Sequence, residues 1–174
     1  MINGFLCSII FFNFNQIDRM KLLLILVTLC SSFSAVSQND LAASSDSILV
    51  RNTIDKLFEG MKTGDSTLVG SVFSADTRMI STYFSREGEL KSQEGSLQEF
   101  KMAIGAQHKE VWDERISNVV IQIDDLLAQV WMDYSFYLDD KLLHCGVNAM
   151  QLIKSNDGWR IVHLIDSRRH ERCE

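Results

Sequence analysis

The chain of 174 residues contains no proline, no Cys-x-x-Cys pair and no surplus of basic charge. With no Pro-rich linker, repeat or low-complexity segment to divide it, its length fits one domain once a targeting segment is set aside. The missing Cys-x-x-Cys argues against a dithiol redox centre or a structural zinc site, and no metal site is expected. A formal net charge of −6 leaves no basic footprint for phosphate, so no nucleic-acid partner is expected. Arg168, Arg169 and Arg172 are the one local exception. Also absent are a Gly-x-Ser-x-Gly elbow, a Walker loop and a dinucleotide fingerprint. No cofactor is implied.

What is present begins with a leader. "MKLLLILVTLCSSFSAVSQ" supplies Lys21 as a positive n-region, Leu22 to Leu29 as an apolar run and Ala35-Val36-Ser37 as a small-x-small cleavage pattern. The run is too short and too quickly diluted with serine to span a bilayer comfortably. Residues 1–37 are therefore expected to be a signal peptide whose start is Met20 (or Met1), cut before Gln38. A lipid anchor on Cys30 is disfavoured by Leu29, where a small residue is preferred. The product is expected to be periplasmic or secreted, with no membrane attachment after cleavage. Losing Asp18, Arg19 and Lys21 moves its charge from −6 to −7. It keeps Cys145 and Cys173, which an oxidising compartment can join; two free thiols are the alternative.

Residues 38–46 read as a polar linker and 47–174 as the domain. Val50, Ile54, Leu57, Phe58 and Met61 recur at helical spacing, with Ser45 or Asp46 positioned as cap and Gly64 as stop. Asp65 opens a second, short helix. "DTRMISTYFS" alternates as a strand, "REG" turns, and "ELKSQ" follows. Ser96 and Glu99 have capping-box spacing ahead of a third helix ending near Gly105. Then come four β-rich runs, "RISNVVIQID", "LAQVWMDYSFYL", "LLHCGVNAMQLIK" and "WRIVHLIDS". Their links are too short for parallel crossovers, so they are antiparallel neighbours. The fold class is α+β, with helices on one face of a curved antiparallel sheet.

That order, with "GWRIVHLIDS" closing after "GVNAMQLIKSND", resembles the nuclear transport factor 2-like superfamily over roughly residues 47–167. The ending "DSRRHERC" is similar to that of the SnoaL-like and lumazine-binding-like exported bacterial members. The resemblance implies a cone-shaped, cystatin-like fold, a pocket between sheet and helices, and a homodimer. It spans isomerases, dehydratases, cyclases and non-catalytic binding domains, so it leaves function open.

Counting through the hairpins gives a register. If Asp139-Asp140 is a two-residue turn, Trp131 faces Asn148, Asp133 faces Gly146 and Ser135 faces His144. If "NDG" is a three-residue loop with Gly158 left-handed, Asn148 faces Asp166, Gly146 faces Arg168 and His144 faces His170. One face then carries the convergent polar groups, and the resemblance assigns it to the pocket. The other carries Val130, Met132, Tyr134, Val147, Ala149, Ile161, His163 and Ile165, assigned to a dimer contact. The expected ligand-binding residues are Trp131, Asp133, Asn148, Asp166 and Arg168. Asp133 and Asp166 are the candidates for a general base, and Asp133 is expected to pair with Arg168 across Gly146. Three functions fit: a domain binding an unidentified small molecule without catalysis, an isomerase or dehydratase, and a dimeric interaction domain with a vestigial pocket.

Overall fold

The computed structural model describes residues 38–173, with side chains from Ser45 onward. The expected leader lies outside the described residues. The first helix, α1 (Gln38–Thr63), buries Val50, Ile54, Leu57, Phe58 and Met61 along one face. It starts earlier than its apolar pattern. Residues 38–46, expected as a linker, contain no glycine or proline to stop a helix and continue it. Asp46 is thus no cap. It accepts hydrogen bonds from Lys154 Nζ at 2.9 Å and Trp159 Nε1 at 3.4 Å, tying α1 to the sheet.

Asp65 caps α2 (Ser66–Ser71), accepting from the backbone N–H groups of Thr67 and Leu68 at 2.9 Å each. The capping box of Ser96 and Glu99 opens α3 (Leu97–Gly105) as expected. The six strands are β1 (Phe73–Phe84), β2 (Leu90–Gly95), β3 (Trp112–Asp124), β4 (Leu127–Leu138), β5 (Lys141–Ser155) and β6 (Gly158–Arg169). They form one sheet in the order β2-β1-β6-β5-β4-β3. All neighbours are antiparallel except β1 and β6, which run parallel. The expected α+β fold, with helices against a mostly antiparallel sheet, is the observed one. Its core joins the apolar face of α1, Val69 and Ile104 to Val130, Met132, Tyr134, Phe136, Met150, Leu152, Trp159 and Ile161.

The register differs from the counted one because of β-bulges, each of which inserts a residue and inverts side-chain parity beyond it. Leu138 does face Lys141, but the pairing shifts between Tyr137–Leu142 and Phe136–His144, leaving Leu143 as the extra residue. Beyond it Trp131 faces Ala149, Asp133 faces Val147 and Ser135 faces Cys145. The next hairpin has a two-residue turn, with Ser155 facing Gly158 at φ +104°, and Val162 is the extra residue on β6. That second shift restores the expected pairs Asn148–Asp166 and Gly146–Arg168. Val130, Met132, Tyr134 and Ile161 consequently point into the core, not outward, and all four are buried.

Candidate functional site

The helix-facing side of the sheet turns polar toward the C-terminal end of β6. Asp166 lies opposite Asn148, which faces Met132, while parallel pairing brings Ser81 alongside. In the next row Tyr134 faces Gly146 and Gly146 faces Arg168. Ser81 Oγ donates to Asp166 Oδ1, and Tyr134 Oη donates to Asp166 Oδ2 at 3.3 Å. Arg168 Nε is 3.7 Å from the same Oδ2. Asn148 Nδ2 donates to Glu114 Oε1 at 2.8 Å.

Glu114 is the electrostatic centre. Its stem sits on the edge strand β3 and keeps some solvent exposure, while its carboxyl is enclosed. Burial, reinforced by the Asp166 charge, pushes its pKa up to about 7 against the opposing Asn148 hydrogen bond and Arg168 charge. Burial also raises the Tyr134 phenol, so it stays protonated and can donate. Burial lowers His144 to about 4, with the Arg168 and His170 charges adding to the effect. Its ring stacks on Phe136 at 4.9 Å between centroids.

Of the residues expected to bind ligand, Asn148, Asp166 and Arg168 meet here. Trp131 and Asp133 do not. The Leu143 bulge turns both to the outer face, where Trp131 is 52% exposed and Asp133 Oδ2 accepts from Asn118 Nδ2 at 2.8 Å. Asp133 therefore cannot serve as a base in this cluster or pair with Arg168 across Gly146; Asp166 is the carboxylate beside Arg168. Counting put His144 on the polar face without choosing it as a ligand residue, and it missed Glu114, Ser81 and Tyr134. The signal for Tyr134 was the alternation in β4, apolar or aromatic at 128, 130, 132, 134 and 136 against polar at 129, 133 and 135, broken only by Trp131. A separate groove of about 520 Å³ opens between α1 and the start of β6, bordered by Asn52, Lys56, Glu59, Asp157 and Arg160. None of the expected ligand residues lines it.

Cys145 and Cys173 form a disulfide with Cα atoms 5.5 Å apart. Cys145 faces Arg169, so the tail must reverse to bring Cys173 back; Arg172 makes the reversal at φ +55°. His170 Nδ1 donates to the Leu143 carbonyl at 3.0 Å, securing the returning tail. Replacing both cysteines by serine should cost about 2 kcal/mol in chemical denaturation. Alkylation of the unreduced protein followed by peptide mapping should leave positions 145 and 173 unlabelled; labelling at both would refute the bridge.

The family model described as "Putative lumazine-binding" matches residues 45–164, more than half of the chain. No curated protein matches it. Among solved structures, it is similar to an NTF2-like protein with a cystatin-like fold from Novosphingobium aromaticivorans. The TM-score is 0.63 at 12% identity, covering 80% of this chain and 95% of that one. An NTF2-like protein of unknown function from Shewanella baltica aligns with a TM-score of 0.58 at 17% identity, over 78% and 100% of the two chains. A protein from Streptomyces avermitilis, described as a "putative dehydratase from the NTF2-like family", gives 0.53 at 14% identity, over 72% and 97%. At such identities these likenesses speak for the fold alone. Helices laid across a bulged, mostly antiparallel sheet give the chain an NTF2-like, cystatin-like fold, and a family match running from α1 into β6 makes it a member of that lumazine-binding-like family.

Proposed function

We propose that this domain binds a small polar molecule on the helix-facing side of its sheet, at Asn148, Asp166, Arg168 and Glu114, without turning it over. The observation carrying this reading is that the polar groups converge on the face that is otherwise apolar core. Buried polar groups of that kind fix a ligand's orientation where the apolar walls supply its affinity. Asp166 already accepts from Ser81 and Tyr134, which suits a fixed acceptor better than a free base.

A second reading, an isomerase or dehydratase with Asp166 as base, draws on two observations. One is the Glu114 pKa of about 7, which leaves a protonated carboxyl beside a carboxylate near neutrality. The other is the neighbour described as a dehydratase.

The domain acts as a homodimer in an exported, oxidising compartment. The leader motif and the Cys145–Cys173 bridge support the compartment. An apolar row supports the dimer: Val120, Trp131, Ala149, Ile165 and Ile80 lie side by side across five strands on the outer face. Trp131 and Val120 are each more than half exposed, and an aromatic at the centre of such a patch is a typical interface anchor.

Native mass spectrometry of the protein isolated from its own envelope tests both parts. The expected spectrum is a dimer carrying a retained molecule, split to monomers by Trp131→Asp. A wild-type monomer would refute the dimer, and protein free of any small molecule would count against binding.

A further inference from the structure

Two buried polar atoms at the far end of the cluster have no hydrogen-bond partner: His144 Nδ1 and Arg168 Nε. Buried donors and acceptors are nearly always paired, by protein, water or ligand, so two neighbouring orphans call for an occupant. His144 is only 8% exposed. Its ring is held between Phe136, stacked at 4.9 Å, and Tyr134, edge-on at 5.6 Å, so it cannot swing away to solvent freely. The 3.7 Å from Arg168 Nε to Asp166 Oδ2 is too long for a hydrogen bond. Asp166 is committed instead to Ser81 and Tyr134.

The register puts His144 and Gly146 on the same face of β5, with Arg168 opposite Gly146. The two orphans therefore lie in adjacent rows of one face, near enough for the Arg168 charge to act on the His144 ring. Arg168 Nε–H can only donate, while a neutral imidazole Nδ1 either donates or accepts. Burial and the Arg168 charge keep the ring neutral above about pH 4. An oxygen that accepts from both Arg168 Nε–H and a protonated His144 Nδ1 would satisfy the two atoms, and beside the guanidinium charge an anionic oxygen is held more strongly than a neutral one. Arg168, Arg169 and Arg172 are also the one basic concentration in an acidic chain, which favours arrival of an anion. Asp166 sets an upper limit on that charge, since a dianion would be repelled by its carboxylate.

We propose that Arg168 and His144 form a subsite for a single carboxylate of the domain's ligand, beneath the tail that Cys173 ties to Cys145. The proposal rests on the binding reading above and gives its ligand a class, an organic monoanion. His170 of that tail lies edge-on to His144, with ring centroids 6.2 Å apart.

The test is a titration of the isolated protein with benzoate and with benzamide, its neutral analogue, followed by NMR at the Arg168 Nε–H and His144 ring signals. Benzoate should shift both saturably and bind at least tenfold more tightly than benzamide. Arg168→Gln should remove that preference, and His144→Phe, a second variant in case the first fails to fold, should weaken benzoate at least tenfold. Three results would each overturn the subsite: no saturable shift, equal affinity for the two probes, or Arg168→Gln binding benzoate as wild type does. The first would leave water as the partner of both atoms. A molecule retained equally by wild type and Arg168→Gln in native spectra would remove the subsite while the binding reading stands. A benzoate preference in protein that retains no molecule from its envelope would support the subsite while that reading fails.

Discussion

Replacing Gly146 by alanine should cost about 4 kcal/mol or prevent folding altogether, although it adds one methyl group. A Cβ at this position would sit 1.7 Å from the Ser167 carbonyl oxygen and 2.8 Å from Tyr134 Cε1. Surplus core volume usually costs about 1–3 kcal/mol because side chains can shift to absorb it. Here the obstacle is the backbone of β6 itself, so relief requires moving a strand within its ladder. Destabilisation above about 4 kcal/mol is exceptional and signals a defined steric cause of this kind. Gly95→Ala is the control, since nothing lies within 4 Å of its added Cβ. Urea unfolding should leave that variant within about 0.5 kcal/mol of wild type. An unchanged midpoint for Gly146→Ala would mean that β5 and β6 are not packed as described.

The second large effect depends on pH. Glu114 has a folded-state pKa of about 7 against an ordinary value of 4.5, so the folded protein holds this proton more tightly than the unfolded chain. The sign follows. Stability linked to the proton is complete below pH 4.5 and is lost as pH rises to and through 7. The full loss is up to about 3 kcal/mol, since one pKa unit corresponds to about 1.4 kcal/mol. Glu114→Gln removes the titration while keeping an amide oxygen able to accept from Asn148 Nδ2. The variant and wild type should differ little near pH 4.5. By pH 8 the variant should be the more stable by about 2–3 kcal/mol. Urea midpoints across that range provide the check, and parallel curves for the two proteins would show that Glu114 is already ionised in the fold at neutral pH.

Element types were legible in this sequence because local chemistry agreed with tertiary need. Asp65, Ser96 and Glu99 marked helix starts, and short acid-containing links marked the hairpins, although the "NDG" link read as three residues long is a two-residue turn. The antiparallel meander followed from link length. The sides of the strands were less legible. One residue, Leu143, decides whether Trp131 and Asp133 share a face with Asn148 or with Ala149, and no glycine or proline stands beside Leu143 to announce it. Asn118 marks the β3 bulge at φ +50°, yet an asparagine in a β-rich run has many other uses. Glu114 was harder still. It stands beside Asp113 and Arg115 in a charged triplet that reads as solvated; Asp113 pairs with Lys62 and Arg115, whereas the enclosed Glu114 carboxyl takes a hydrogen bond from Asn148.

The parallel seam between β1 and β6 has a consequence for how the chain assembles. Every other neighbouring pair in the sheet is a local hairpin, joined across β1–β2, β3–β4, β4–β5 and β5–β6 by short links. Closing such links fixes few residues, whereas the Ser81–Asp166 bond joins positions 85 apart in the chain. Loop-closure entropy is therefore concentrated on this one seam, and contacts of long sequence separation are those that slow folding. The β3–β6 meander can form from its own turns, but Asp166 gains its Ser81 partner only once β1 docks. The polar cluster is thus completed by the slowest kind of contact in the fold, and any chain in which β1 has not docked carries Asp166 without the serine that steadies it.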